Sequence, residues 1–129
     1  NMQSQKREFS ELSNRVIGCA IEVHRALGPG LLESTYQQCL ARELTLVKIP
    51  FRQEYPLPVE YKGVKLDCGY RVDFLVQDEI ILELKSVEKL HPIHDAQLLT
   101  YMKLASIKYG FLINFNAIRL KDGLNSFVL

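Results

Sequence analysis

The sequence lacks several features that would announce a function outright. Its three cysteines, Cys19, Cys39 and Cys68, are odd in number and far apart, with no CxxC pair among them. That spacing suggests neither a zinc site nor a disulfide framework, and a reducing compartment, the cytoplasm, is the simpler expectation. No apolar run approaches the length of a membrane-spanning helix and no signal-peptide pattern opens the chain, so no membrane partner is expected. The formal net charge is only +1, so no bulk basicity advertises a nucleic-acid partner. A local basic face would not show in composition. No internal repeat, low-complexity tract or linker interrupts the 129 residues. A single domain over 1–129 is expected, long enough to bury a core without staples. Composition leaves room for a homo-oligomer and does not specify one.

What is present is hydrophobic patterning. Phe9, Leu12, Val16, Ala20, Val23 and Leu27 recur at three- and four-residue steps, which predicts an amphipathic helix over 8–27. The Gly-Pro-Gly at 28–30 stops it. A second helix is expected at about 31–46, with Leu32, Tyr36, Leu40 and Leu44 on one stripe. Pro50, Pro56 and Pro58 keep the next segment out of helix. "LPVEYKGVKL" reads as an edge strand, a turn at Lys62-Gly63 and a short return. Strands follow at about 69–76 and 80–86, a helix at about 93–106 with Pro92 near its start, a buried strand in "YGFLINF" and a last strand at 124–128. The order α-α-β-β-β-α-β-β implies an α/β (α+β) fold, one mixed sheet with helices on its faces.

The stretch "DFLVQDEIILELK" carries Asp73, Glu83 and Lys85 in an otherwise apolar hairpin. If Gln77-Asp78-Glu79 is its loop, antiparallel pairing sets Asp73 opposite Glu83 and Arg71 opposite Lys85. Glu83 and Lys85 then share one face, and Ile80, Leu82 and Leu84 the apolar other. Directly opposed side chains have Cβ atoms roughly 4.5–5.5 Å apart. Two carboxylates that close repel unless something offsets them, and a hard divalent cation such as Mg²⁺ or Mn²⁺ suits two convergent carboxylates. The plainer reading is a solvated strand face with cross-strand salt bridges. Among lesser candidates, His24 and His94 read as hydrogen-bonded structural histidines, Tyr36 as core or site, and Asn114 as a local hydrogen-bonding group in a buried strand.

Asp73 followed by Glu83-Leu84-Lys85 resembles the D…(D/E)xK core of the PD-(D/E)XK nuclease superfamily. "GLLESTY" at 30–36 resembles the motif that names the GxxExxY protein family, and "GYRVDFLV", "IILELKSV", "HDAQLLTYMKLA" and "YGFLINF" stand in the order expected of it. The resemblance runs from about residue 10 to 128. Val72 stands where the superfamily pattern has a proline before the first Asp. The resemblance implies a restriction-endonuclease-like core. It also implies that Asp73, Glu83 and the backbone carbonyl of Leu84 ligate Mg²⁺ or Mn²⁺, with Glu33 contacting metal directly or through water. Lys85 would orient the attacking water. Gln97 and Tyr101 resemble the Gln-x-x-x-Tyr motif of RecB-like nucleases; their four-residue spacing separately puts them on one helix face. Arg71 would engage a phosphate or balance Glu83. The function so implied is a divalent-metal-dependent nuclease hydrolysing phosphodiester bonds in DNA. The alternative is a catalytically silent nuclease-like domain that binds nucleic acid or protein.

Overall fold

A computed structural model describes residues 2–129, with side chains from Glu11 onward; Asn1 and the Phe9 side chain lie outside the described residues. Helix α1 spans Met2–Leu27, α2 Glu33–Leu46 and α3 Pro92–Ala105. The strands are β1 (Phe51–Tyr61), β2 (Val64–Val76), β3 (Ile80–Lys85), β4 (Tyr109–Asn114) and β5 (Leu124–Val128), with a 3₁₀ turn at Leu120–Gly123. They form one sheet in the order β1-β2-β3-β4-β5. Only β3 and β4 run parallel; the other three pairs are antiparallel. A parallel pair needs a crossover, and α3 supplies it. The element order is the one the patterning predicts.

Helices α1 and α2 bury most of the stripe that their periodicity marks. Leu12, Val16, Ala20 and Val23 of α1 and Tyr36, Leu40 and Leu44 of α2 pack on Phe74, Val76, Ile80, Leu82 and Leu84. Leu27 and Leu32 leave their predicted stripes and are exposed, because the Gly28–Gly30 bend turns the chain away there. The opposite sheet face is covered by α3, whose Leu98, Tyr101 and Met102 meet Val72, Leu75, Ile81 and Leu112. Gly110 allows this close approach: a Cβ there would stand 2.6 Å from the Met102 sulfur. Among the described residues no helix is long and apolar enough to cross a membrane.

Two strand boundaries differ from expectation. The short return and the strand at about 69–76 are one continuous strand, β2. A register shift between Leu57 and Val59 absorbs the irregularity that reads as a break, and Gly69 takes a positive φ of 78° with its N–H donating to Asp67 Oδ1. β1 begins at Phe51 and carries Pro56 and Pro58 within it, which an edge strand tolerates because one side of its backbone needs no donors.

Candidate active site

Strands β2 and β3 pair from Val76↔Ile80 to Phe74↔Leu82 and then separate. The next two side chains fill the fork. The Asp73 N–H donates to Glu83 Oε2 at 3.0 Å, and the Leu84 N–H donates to Asp73 Oδ2 at 2.8 Å. Each carboxyl group therefore takes a backbone donor that a longer ladder would have paired with a carbonyl. For this reason the ladder does not reach Arg71 and Lys85, and these two are not a cross-strand pair as the simple hairpin register implies. Alternation also breaks here. Val72 packs toward α3 while Phe74 packs toward α1 and α2, so Asp73 lies where β2 changes faces. On β1 the residue between the partners of Val72 and Phe74 is Glu54, held at a φ of 54°.

The electrostatics follow from crowding acids in a dry fork. Glu83 is only 7% exposed. Desolvation, the Asp73 charge and a hydrogen bond with Asp73 push its carboxyl up to about 9. Desolvation also raises Asp73, with Glu54 adding, while the Leu84 N–H, the bond with Glu83 and Lys85 oppose. Both carboxyls are thus shifted toward their protonated forms, Glu83 the further, because two acids in one dry fork disfavour a second negative charge. Lys85 is half-buried at the end of β3, and its charge favours the ionised form of Asp73, Glu83 and Glu33 alike.

Glu33 arrives from the other side of the fork. It opens α2, where an acidic residue suits the positive end of the helix. Tyr36 fixes the loop ahead of it: buried and stacked on Phe115 with ring centroids 4.6 Å apart, it donates its hydroxyl hydrogen to the Gly28 carbonyl at 2.6 Å and accepts from the Leu31 N–H. The Ser86 hydroxyl donates to the Leu31 carbonyl at 2.6 Å, tying the same loop to the end of β3. Although the residue is exposed, partial desolvation raises the Glu33 carboxyl; Lys85 and the Ser86 backbone lower it and Asp73 raises it. Tyr36 is thus a core residue that anchors a loop.

From α3, Gln97 and Tyr101 stand one helical turn apart, and Gln97 acts on the Tyr101 hydroxyl. Desolvation raises the Tyr101 hydroxyl, and the charges of Glu83, Tyr70 and Asp73 add to the effect, so this side chain reaches from the α3-side core toward the fork. Arg71 is exposed on β2 and forms no ion pair among the described residues, so it does not balance Glu83 here. The histidines are structural: His24 Nε2 bonds to the Ala117 carbonyl at 2.7 Å, and His94 Nδ1 accepts the His91 N–H at the start of α3. Asn114 bonds to both backbone groups of Val87 and so holds the chain leaving β3.

Sequence reasoning missed Glu54. It acts on Asp73 and accepts a hydrogen bond from Gln37 Nε2 at 2.6 Å. Nothing in "FRQEYPLP" marks it, because its nearness depends on β1 pairing with β2 at one register. Gln37 does carry a signal, standing one helical turn beyond Glu33.

Among the described residues no three His, Cys, Asp or Glu side chains are grouped closely enough to cage a metal as they stand. The donor set still fits a small hard cation. Mg²⁺ is commonly held by one or two carboxylates together with water and substrate phosphate, and the fork offers two carboxyl groups fixed close together by backbone donors.

A family model described as the PD-(D/E)XK nuclease superfamily matches residues 10–127. No curated protein and no solved structure matches the chain. Since the family match runs through α2, the forked hairpin, α3 and every strand of the sheet, the chain belongs to the PD-(D/E)XK nuclease superfamily.

Proposed function

We propose that the protein is a divalent-metal-dependent nuclease that hydrolyses phosphodiester bonds in DNA, of the GxxExxY kind whose motif "GLLESTY" resembles. The observation that carries this reading is the Asp73–Glu83 pair, each carboxyl held by a backbone N–H at the β2–β3 fork, with the Lys85 charge acting on both. Asp73, Glu83 and the Leu84 carbonyl would hold Mg²⁺ or Mn²⁺, with Glu33 completing the shell directly or through water. When bound, such an ion would lower the pKa of a water and take up phosphate charge. The remaining work falls to the chain's own side chains. The Lys85 ammonium, a compact point charge in a partly dry cleft, orients the attacking water and stabilises charge developing on the phosphate. Gln97 and Tyr101 position the substrate from α3, and Arg71 is exposed where a neighbouring phosphate could reach it.

The test is cleavage of single-stranded DNA, duplex DNA and RNA with Mn²⁺ or Mg²⁺ by wild type and Lys85→Ala. Metal-dependent cleavage of DNA is expected, and the variant should lose about a hundredfold or more while its thermal melt stays cooperative. Equal activity in both proteins would point to a contaminating nuclease. Measurable Mn²⁺ binding with no cleavage of any of the three substrates would favour the catalytically silent binding module.

A further inference from the structure

A groove of about 430 Å³ lies between α3 and the β1–β2 hairpin. Val59 and Tyr70 line it from the hairpin, and Ile93, Gln97, Thr100 and Tyr101 from α3. Its volume falls within the roughly 300–1,000 Å³ usual for small-ligand sites. No charged side chain lines it, so a phosphate would find no cation inside. Two of its apolar groups face solvent: Ile93 is 69% and Tyr70 47% exposed. The Tyr70 and Tyr101 rings stand 6.0 Å apart at 55°. The polar groups on its walls are neutral. The Thr100 hydroxyl donates to the Ala96 carbonyl and keeps its oxygen lone pairs for a ligand, and Gln97 is exposed. Such a slot suits a flat, neutral ring with hydrogen-bonding edges. Tyr101 links the groove to the fork: it lines the groove and lies near enough to Glu83 and Asp73 to feel their charge.

We propose that this groove receives an unstacked nucleobase adjoining the phosphate under attack, so that the substrate is a single-stranded segment or unpaired end. The inference rests on the nuclease reading of the neighbouring carboxylates. In a duplex each base is stacked and paired, and a base must leave the stack before its faces can meet a protein ring. A single strand presents such faces freely, and stacking on an aromatic side chain tolerates any base. The division of chemistry matches a polynucleotide: a cation, Lys85, stands at the fork, where the phosphate would lie, and an uncharged slot lies next to it, where the base would lie.

The test is binding measured in EDTA, so that nothing is cleaved, by fluorescence anisotropy of three labelled probes. These are a short oligothymidylate, an abasic oligomer with the same number of phosphates, and a hairpin duplex. Oligothymidylate should bind tightest. Tyr70→Ala should weaken it by about 5- to 100-fold and leave the abasic probe unchanged. Ile93→Ser should weaken it in the same sense, whereas Tyr70→Phe, which keeps the ring, should bind as wild type does. Equal binding of the thymidylate and abasic probes, tighter binding of the duplex, or no binding of thymidylate would overturn the proposal. So would a Tyr70→Ala effect confined to the oligomeric state of the protein. The two readings fail separately. Base-dependent binding without any Mn²⁺-dependent cleavage would leave the groove standing and remove the nuclease; cleavage with no preference between the probes would do the reverse.

Discussion

The upward shift of the Glu83 carboxyl, caused by burial and by Asp73, ties the candidate site to the stability of the fold. Its carboxyl rises from an ordinary 4.5 to about 9 in the folded chain. The folded state therefore binds more protons than the unfolded one between those values, and stability falls as pH rises through that window. The contribution is fully present below about 4.5 and lost as pH passes about 9. Glu83→Gln should remove the dependence, because an amide can donate to Asp73 and accept the Asp73 N–H as the protonated acid does. Thermal melts in EDTA at about pH 5 and about pH 8.5 should show wild type losing stability at the higher pH and the variant not. A variant as pH-dependent as wild type would place the shifted carboxyl elsewhere. The same variant should bind Mn²⁺ poorly, since a ligand must be ionised to coordinate.

The N-terminal end of α2 is held by groups that Glu33 itself does not contain. Tyr36 bonds to the loop on both sides of the Gly-Pro-Gly bend, and Ser86 bonds to the same loop from the end of β3. Tyr36→Phe keeps the ring stacked on Phe115 and removes both hydroxyl bonds. The expected cost is about 1–2 kcal/mol in a urea melt, because a part-buried N–H and carbonyl lose their partner. The variant should also need more Mn²⁺ for half-maximal binding. An unchanged Mn²⁺ midpoint beside the stability loss would mean that Glu33 takes no part in holding the ion. The hairpin shows the same dependence of site on element. Pairing stops at Phe74↔Leu82, and the side chains that stop it are the two candidate ligands.

In the whole molecule, one layer boundary collects the candidate groups. α2 approaches the fork from one sheet face and α3 from the other, while β2 and β3 supply the carboxylates between them. An ion bound only by the folded arrangement must stabilise it. At a hundredfold excess over its dissociation constant, Mn²⁺ should add about 2.7 kcal/mol, read as a higher melting temperature that EDTA reverses. Asp73→Asn should abolish the shift. A wild type whose melting is indifferent to Mn²⁺ would count against the metal site.

The sequence by itself determined the element order, most of the stripes of α1 and α2, and the hairpin turn that brings Asp73 and Glu83 near each other. Those features depend on local periodicity, on Gly and Pro placement and on a short loop, all of which act over a few residues. The superfamily resemblance was legible for the same reason, since "ILELK" is a contiguous string. Tertiary structure decided the rest. Only the packed sheet shows β2 as one long strand, the change of faces at Asp73, the end of the ladder before Arg71 and the approach of Glu54. Whether Tyr36 is core or site was likewise settled by partners at Gly28, Leu31 and Phe115. The upward shift of Glu83 has no counterpart in the string of residues, because it arises from desolvation and from a second carboxylate brought near by folding. Electrostatic neighbours and burial are properties of distance in space, and the chain's order constrains them only through the packing it produces.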